Sequence, residues 1–228
     1  MQYIAQELML LAVHDEKGSI VSSATQSLPY GLIGAVLLEL VLQGKLISED
    51  GKLFVVNATT TGDEFFDDCL NEILTARRNR DARFWVTHLV RKFRGFQYAV
   101  LSNLVELGVL KQEKHRVLGL FSVQRYTMIN PRAKHVIVDR VRSSVLNKTK
   151  LDSRTVSLIS LIKACNLTNY LFAPEERKQA RQRIAEIVSG ELVGNAVSET
   201  VASVQAAVNA GITAAVVAST VSSSSSNS

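Results

Sequence analysis

Two cysteines, three prolines and a single tryptophan in 228 residues leave several kinds of protein without their usual material. Cys69 and Cys165 lie far apart and outside any metal-type spacing, so we read them as reduced core thiols of a cytosolic protein. His14, His88, His115 and His135 are scattered, with no H-E-x-x-H among them. Walker, G-x-S-x-G and G-x-G-x-x-G patterns are all missing. No apolar run reaches the length of about 18 residues that a membrane span needs. The nearest stretch, 192–221, is interrupted by Glu199, Gln205 and Asn209. MQYIAQELMLLAVHDEKGS has no basic n-region and no small-residue cleavage site, which argues against a signal peptide. Charge is only mildly unbalanced. A net +5 is compatible with an anionic membrane or nucleic acid and demands neither.

What the chain does have is apolar material, at 46% of its residues, enough to bury a sizeable core. LPYGLIGAVLLELVLQGKL (28–46) predicts a buried helix with Pro29 in its first turn and Gly44 just past its end. Two β-prone runs then flank Glu49-Asp50-Gly51, a hairpin signal. Residues 59–90 read as helix again, capped by Thr61 or Asp63. AVLLELVLQGKL (35–46) and AVLSNLVELGVL (99–110) match at seven positions at a constant offset of 64, so an apolar helix, a glycine cap and a hairpin occur twice. Downstream, Pro131 opens one helix and Asp152 caps the next. A third runs from Pro174 to Gly190, with Glu175 and Glu176 within reach of Arg177, Lys178 and Arg181. Val197, Val201, Val204, Val208, Ile212 and Ala215 form an apolar stripe on a last helix. The expected fold is mostly α: one compact helical domain over 1–220 with two short β-hairpins, near 46–56 and 109–128, and a disordered Ser-rich tail over 221–228.

Sites for chemistry are few. In DEFFDD, Asp63 with Asp67 and Glu64 with Asp68 sit four apart and could face a divalent cation. No second acidic motif completes a shell, and acids at a helix N-terminus stabilise it in any case. Gly31 and Gly34 serve close helix packing, Trp85 is a core residue, and ARRNRDAR is a solvated turn. We therefore expect no catalytic residues, no metal and no cofactor. The segment RKFRGF is better placed for function. Gly95 is an acceptable N-cap for a helix from Phe96, which sets Arg91, Lys92 and Arg94 beside free backbone N–H groups and the positive end of a dipole. A phosphate is the natural ligand for such a place.

LLAVHDEKGS, GLIGAVLLELVLQGKL, RGFQYAVLSNLVELGVL and LFAPEERKQARQRIAEI, in that order, resemble the Golgi phosphoprotein 3 family over roughly residues 5–215. The Ala/Val-rich C-terminal helix looks more like the family's bacterial branch than its animal or yeast Golgi members. The resemblance implies a compact helical domain, a hairpin used in self-association, and peripheral binding to phosphatidylinositol 4-phosphate. Eukaryotic members sit on the cytosolic face of the Golgi, where they bind coatomer and the cytoplasmic tails of glycosyltransferases. Of the family's lipid-pocket positions, the tryptophan falls near Ala24 and the first basic residue at Ile33. The arginine pair falls at Arg94 and Gln97, with Arg91 and Lys92 as local substitutes. The N-terminal arginine cluster used for coatomer is absent.

The expected function is that of a non-enzymatic protein, cytoplasmic and peripheral to a membrane. It would bind a phosphoinositide or other anionic phospholipid through Arg91, Lys92, Arg94 and Gln97. Self-association through the hairpin near 109–128 and capture of membrane-protein tails are the further partners expected; nucleic acid is not. The alternative is a winged-helix nucleic-acid module with Lys114, His115 and Arg116 at a wing tip. Against it, AVLSNLVEL offers only Ser102, Asn103 and Glu106 to a duplex, and Glu106 would repel phosphate.

Overall fold

A helix that is apolar on every side is stable only with neighbours all round it. In the computed structural model, which describes residues 3–117, 121–147, 149, 151–189, 202, 204–206, 208–214 and 217, LPYGLIGAVLLELVL is such a helix, α2 (Leu28–Leu42). Around it pack α1 (Ile4–Ala12), α4 (Ala82–Lys92), α5 (Phe96–Glu106) and α7 (Ser153–Ala164). α3 (Glu64–Leu74) also touches α2; α6 (Pro131–Leu146) packs on α1, α7 and α9 (Arg177–Val188), and α8 (Thr168–Leu171) packs on α9. Two separate antiparallel hairpins, β1 (Leu46–Glu49) with β2 (Lys52–Val55) and β3 (Leu110–Val117) with β4 (Phe121–Met128), complete a mostly α fold.

The glycines of α2 set its distances. A Cβ on Gly31 would collide with Cys165 Sγ, and one on Gly34 with Val208 Cγ1, so both admit a neighbour at backbone range. The single acid of α2, Glu39, is buried but fully used. Its carboxylate accepts from the Ile4 N–H at the start of α1 and from Arg154 Nη1 on α7, each at 2.9 Å. Burial raises the Cys165 thiol to about 12 and pushes Cys69 up as well, as the reading of core thiols expects.

The internal repeat is structural. In α2 the Gly44 N–H donates to Val41 C=O and the Lys45 N–H to Leu40 C=O, both at 2.9 Å. In α5 the Gly108 N–H donates to Val105 C=O at 2.9 Å and the Val109 N–H to Leu104 C=O at 3.0 Å. Both glycines sit near φ +66° (67° and 66°), as this helix ending requires. Each chain then returns on itself, Val56 to Lys45 C=O and Ile129 to Val109 C=O, both at 3.0 Å. Burial separates the two copies. Leu46 and Leu53 tuck the first hairpin into the core. The second is anchored at its base by Leu110 and Tyr126, and Lys111–His115 and Ser122–Gln124 are exposed.

Two helix readings need correction. Residues 59–90 are two helices, because Thr75 caps the end of α3 and Asp81 starts α4 by accepting from the Phe84 N–H at 2.7 Å. The break runs beside β2, where the Leu53 N–H donates to Arg80 C=O at 2.8 Å. The third downstream helix begins at Arg177, three residues later than Pro174. Glu176 pairs with Arg142 on α6 (2.6 Å) and accepts from the Ala173 N–H, while Arg177 and Arg181 donate to Asn169. The charged face is thus partly an inter-helix clasp. Of the final stripe, Val204, Val208 and Ile212 are buried; Gly190, Val197, Val201, Ala215 and the 221–228 tail lie outside the described residues.

Candidate functional site

The junction between α4 and α5 is held from below by three phenylalanines. Phe65 of α3 stacks on Phe96 at 3.6 Å between ring centroids and meets Phe93 edge-on at 5.0 Å. Phe93 ends α4, and Gly95, at φ +98°, turns the chain into α5 with open space where a side chain would be. Above this floor lies a cavity of about 260 Å³. Pro29 and Ile33 from α2 give it an apolar wall, and Arg94, Gly95, Gln97 and the exposed Tyr98 line the rest. The N–H groups of Arg94, Gly95 and Gln97 donate to no protein acceptor among the described residues, whereas Phe96 donates to Phe93 C=O and Tyr98 to Gly95 C=O. Arg94 itself is exposed and has no ion-pair partner among the described residues.

The four sequence-predicted residues do not converge. Arg94 and Gln97 line the cavity, together with Ile33. Lys92 is on another face of α4, where its ammonium is paired with Glu72 of α3. His88 Nε2 contacts the same carboxylate at 2.9 Å. The hydrogen bond from Lys92, then that from His88, holds the Glu72 carboxyl below its ordinary range. Arg91 is exposed in the last turn of α4, outside the cavity, where a cation suits the helix dipole. The reason is helical phase. Arg91 and Lys92 belong to α4, and the left-handed Gly95 separates them from the α5 terminus that Arg94 borders. Ala24 ends a one-turn helical segment (Ser22–Ala24) and is wholly buried.

The acidic helix start is occupied structurally. Asp63 accepts from the N–H groups of Phe65 and Phe66, and Asp67 from that of Thr61 at 2.7 Å. Among the described residues no group of three His, Cys, Asp or Glu side chains could hold a metal ion. Likewise, no helix among them is long and apolar enough to cross a membrane. Sequence reasoning missed Pro29 and Tyr98 as cavity residues. Pro29 reads as a helix opener, and Tyr98 faces solvent only because α5 turns its Val100, Leu101 and Leu104 inward.

The fold and site together define a mostly helical protein with a basic hollow at a helix start. The family model for Golgi phosphoprotein 3 (GPP34) matches residues 4–204, and the chain belongs to that family.

Proposed function

We propose that the protein is a non-enzymatic peripheral membrane protein that takes the phosphate of an anionic phospholipid headgroup into the α4–α5 cavity. Phosphoinositides, phosphatidylinositol 4-phosphate among them, are the lipids this reading favours. The observation that carries it is the meeting, in one hollow, of the Arg94 guanidinium with the free N–H groups of Arg94, Gly95 and Gln97 at the positive end of α5. Phosphate oxygens would meet charge and aligned donors at once. Pro29 and Ile33 offer the non-phosphate part of a headgroup an apolar wall. Family membership supports a role at Golgi-type membranes, with tails of membrane proteins as further partners. The second hairpin, exposed at Lys111–His115 and Ser122–Gln124, suits self-association through strand edges.

Flotation with neutral, acidic and phosphoinositide-containing vesicles, beside a duplex-DNA control, tests the reading. Binding should rise from neutral to acidic to phosphoinositide vesicles, and Arg94→Ala should remove the last increment. Equal binding to all three vesicles would sink it, and tighter binding to the duplex would favour the winged-helix alternative.

A further inference from the structure

A second basic hollow lies at the other end of α4, and its reading is independent of the α4–α5 cavity. Residues 75–81 leave α3, pass beside β2 and enter α4 at Asp81. That path carries Arg77, Arg78 and Arg80 to the lining of a cavity of about 440 Å³, which Phe84, Trp85 and His88 of α4 also line. A volume of this size is typical of small-ligand sites.

Three observations give it chemistry. Arg80 lies over the Phe84 ring, 5.1 Å from its centroid, and His88 stacks with the same ring at 5.5 Å with planes 10° apart. A guanidinium held by its face keeps its N–H edges available. None of the three guanidinium groups has a hydrogen-bond or ion-pair partner among the described residues, although all three are exposed. The third observation is Trp85. Its side chain is 2% exposed, and its indole Nε1 is buried with no hydrogen-bond partner among the described residues. An indole N–H can only donate, and buried donors are nearly always paired. The one acid in the lining, Glu72, is already committed to Lys92 and His88. An excess of cations therefore lines the hollow, with the ring of Trp85 packed into its wall.

We propose that this hollow is a second anion site, one that binds a phosphate monoester between Arg77, Arg78 and Arg80. A monoester supplies close to two negative charges and three strong acceptors, which matches the groups present. α4 has 11 residues and so is about 16 Å long, too far for one headgroup phosphate to serve both ends.

Trp85 is the only tryptophan in the chain, so its fluorescence reports on the site directly. The full chain is titrated with glycerol 3-phosphate, and separately with phosphatidylcholine vesicles with and without phosphatidic acid, with calorimetry in parallel. A saturable change is expected with the soluble monoester and with the phosphatidic acid vesicles; a change with the vesicles alone assigns the site to lipid headgroups. Arg77→Ala, Arg78→Ala and Arg80→Ala combined should weaken glycerol 3-phosphate binding at least tenfold without moving the melting temperature, and Arg91→Ala, outside both cavities, should leave it unchanged. The proposal is overturned if neither ligand binds saturably, if the triple variant binds like wild type, or if Arg94→Ala abolishes the signal given by glycerol 3-phosphate.

Discussion

Gly34 and Val208 are in contact so close that one added methyl on the glycine would overlap Val208 Cγ1. Gly34 lies in the central helix and Val208 in the helical residues near the C-terminal end, so the pair ties the two together. Gly34→Ala should therefore destabilise the protein by about 1–3 kcal/mol, the usual cost of overpacking. Val208→Ala should relieve part of that, so the double variant should be more stable than the sum of the two single effects. Urea denaturation of the four proteins in the cycle measures this, and strict additivity would show that the contact is not tight.

The helix endings at Gly44 and Gly108 have open space around them, so only backbone conformation restricts the residue there. Gly44→Ala and Gly108→Ala should each cost about 1 kcal/mol. Their similarity would mark the repeat as energetic as well as geometric. α7 ends in the same pattern with Asn166 at φ +57°, its N–H donating to Lys163 C=O and that of Leu167 to Ile162 C=O. Gly108→Asn should accordingly cost less than Gly108→Ala, which denaturant midpoints at constant m-value can test.

Glu72 makes one part of stability depend on pH. Its folded carboxyl is held below 4.5, first by the hydrogen bond from Lys92 and then by that from His88. A depressed carboxyl stabilises the fold fully above 4.5 and loses that contribution as pH falls through the folded value. Thermal melts should thus fall faster below pH 4.5 for wild type than for Glu72→Gln. Added salt should narrow the difference, since the pair is partly exposed. Parallel curves would mean that the pair contributes nothing.

Lys92 and Arg94 stand two residues apart and should behave differently. Lys92→Ala should lower the melting temperature slightly by releasing α4 from α3, and leave vesicle binding nearly intact. Arg94→Ala should leave stability alone and weaken binding to acidic vesicles about fivefold, the effect of about 1 kcal/mol per surface cation. Flotation and melting of both variants decide it. Equal loss of binding in the two would return Lys92 to the headgroup site.

Much of the fold was legible from local signals. The all-apolar α2, the caps Asp63 and Asp152, and the glycines after both repeated helices act within a few residues, where composition and spacing are decisive. The internal match at offset 64 marked the same helix, glycine ending and hairpin twice, and both endings make the same pair of hydrogen bonds. Periodicity alone could not break residues 59–90, because the break at 75–81 is fixed by hydrogen bonding to β2, a partner more than twenty residues earlier.

The candidate sites depended on tertiary structure for the same reason. A run such as RKFR states that three cations are near one another in sequence, which says nothing of the direction each takes. Direction was decided by Glu72, which draws Lys92 onto α3, and by the Phe65 clamp, which fixes the α4–α5 turn so that Arg94 and Gln97 meet Pro29 and Ile33 from a distant helix. Sequence by itself determined several helix starts and stops, those set by local caps and glycines, and how much core the chain can carry. Which side chains share a cavity was settled only by packing, since that depends on the relative phase of helices far apart in the chain.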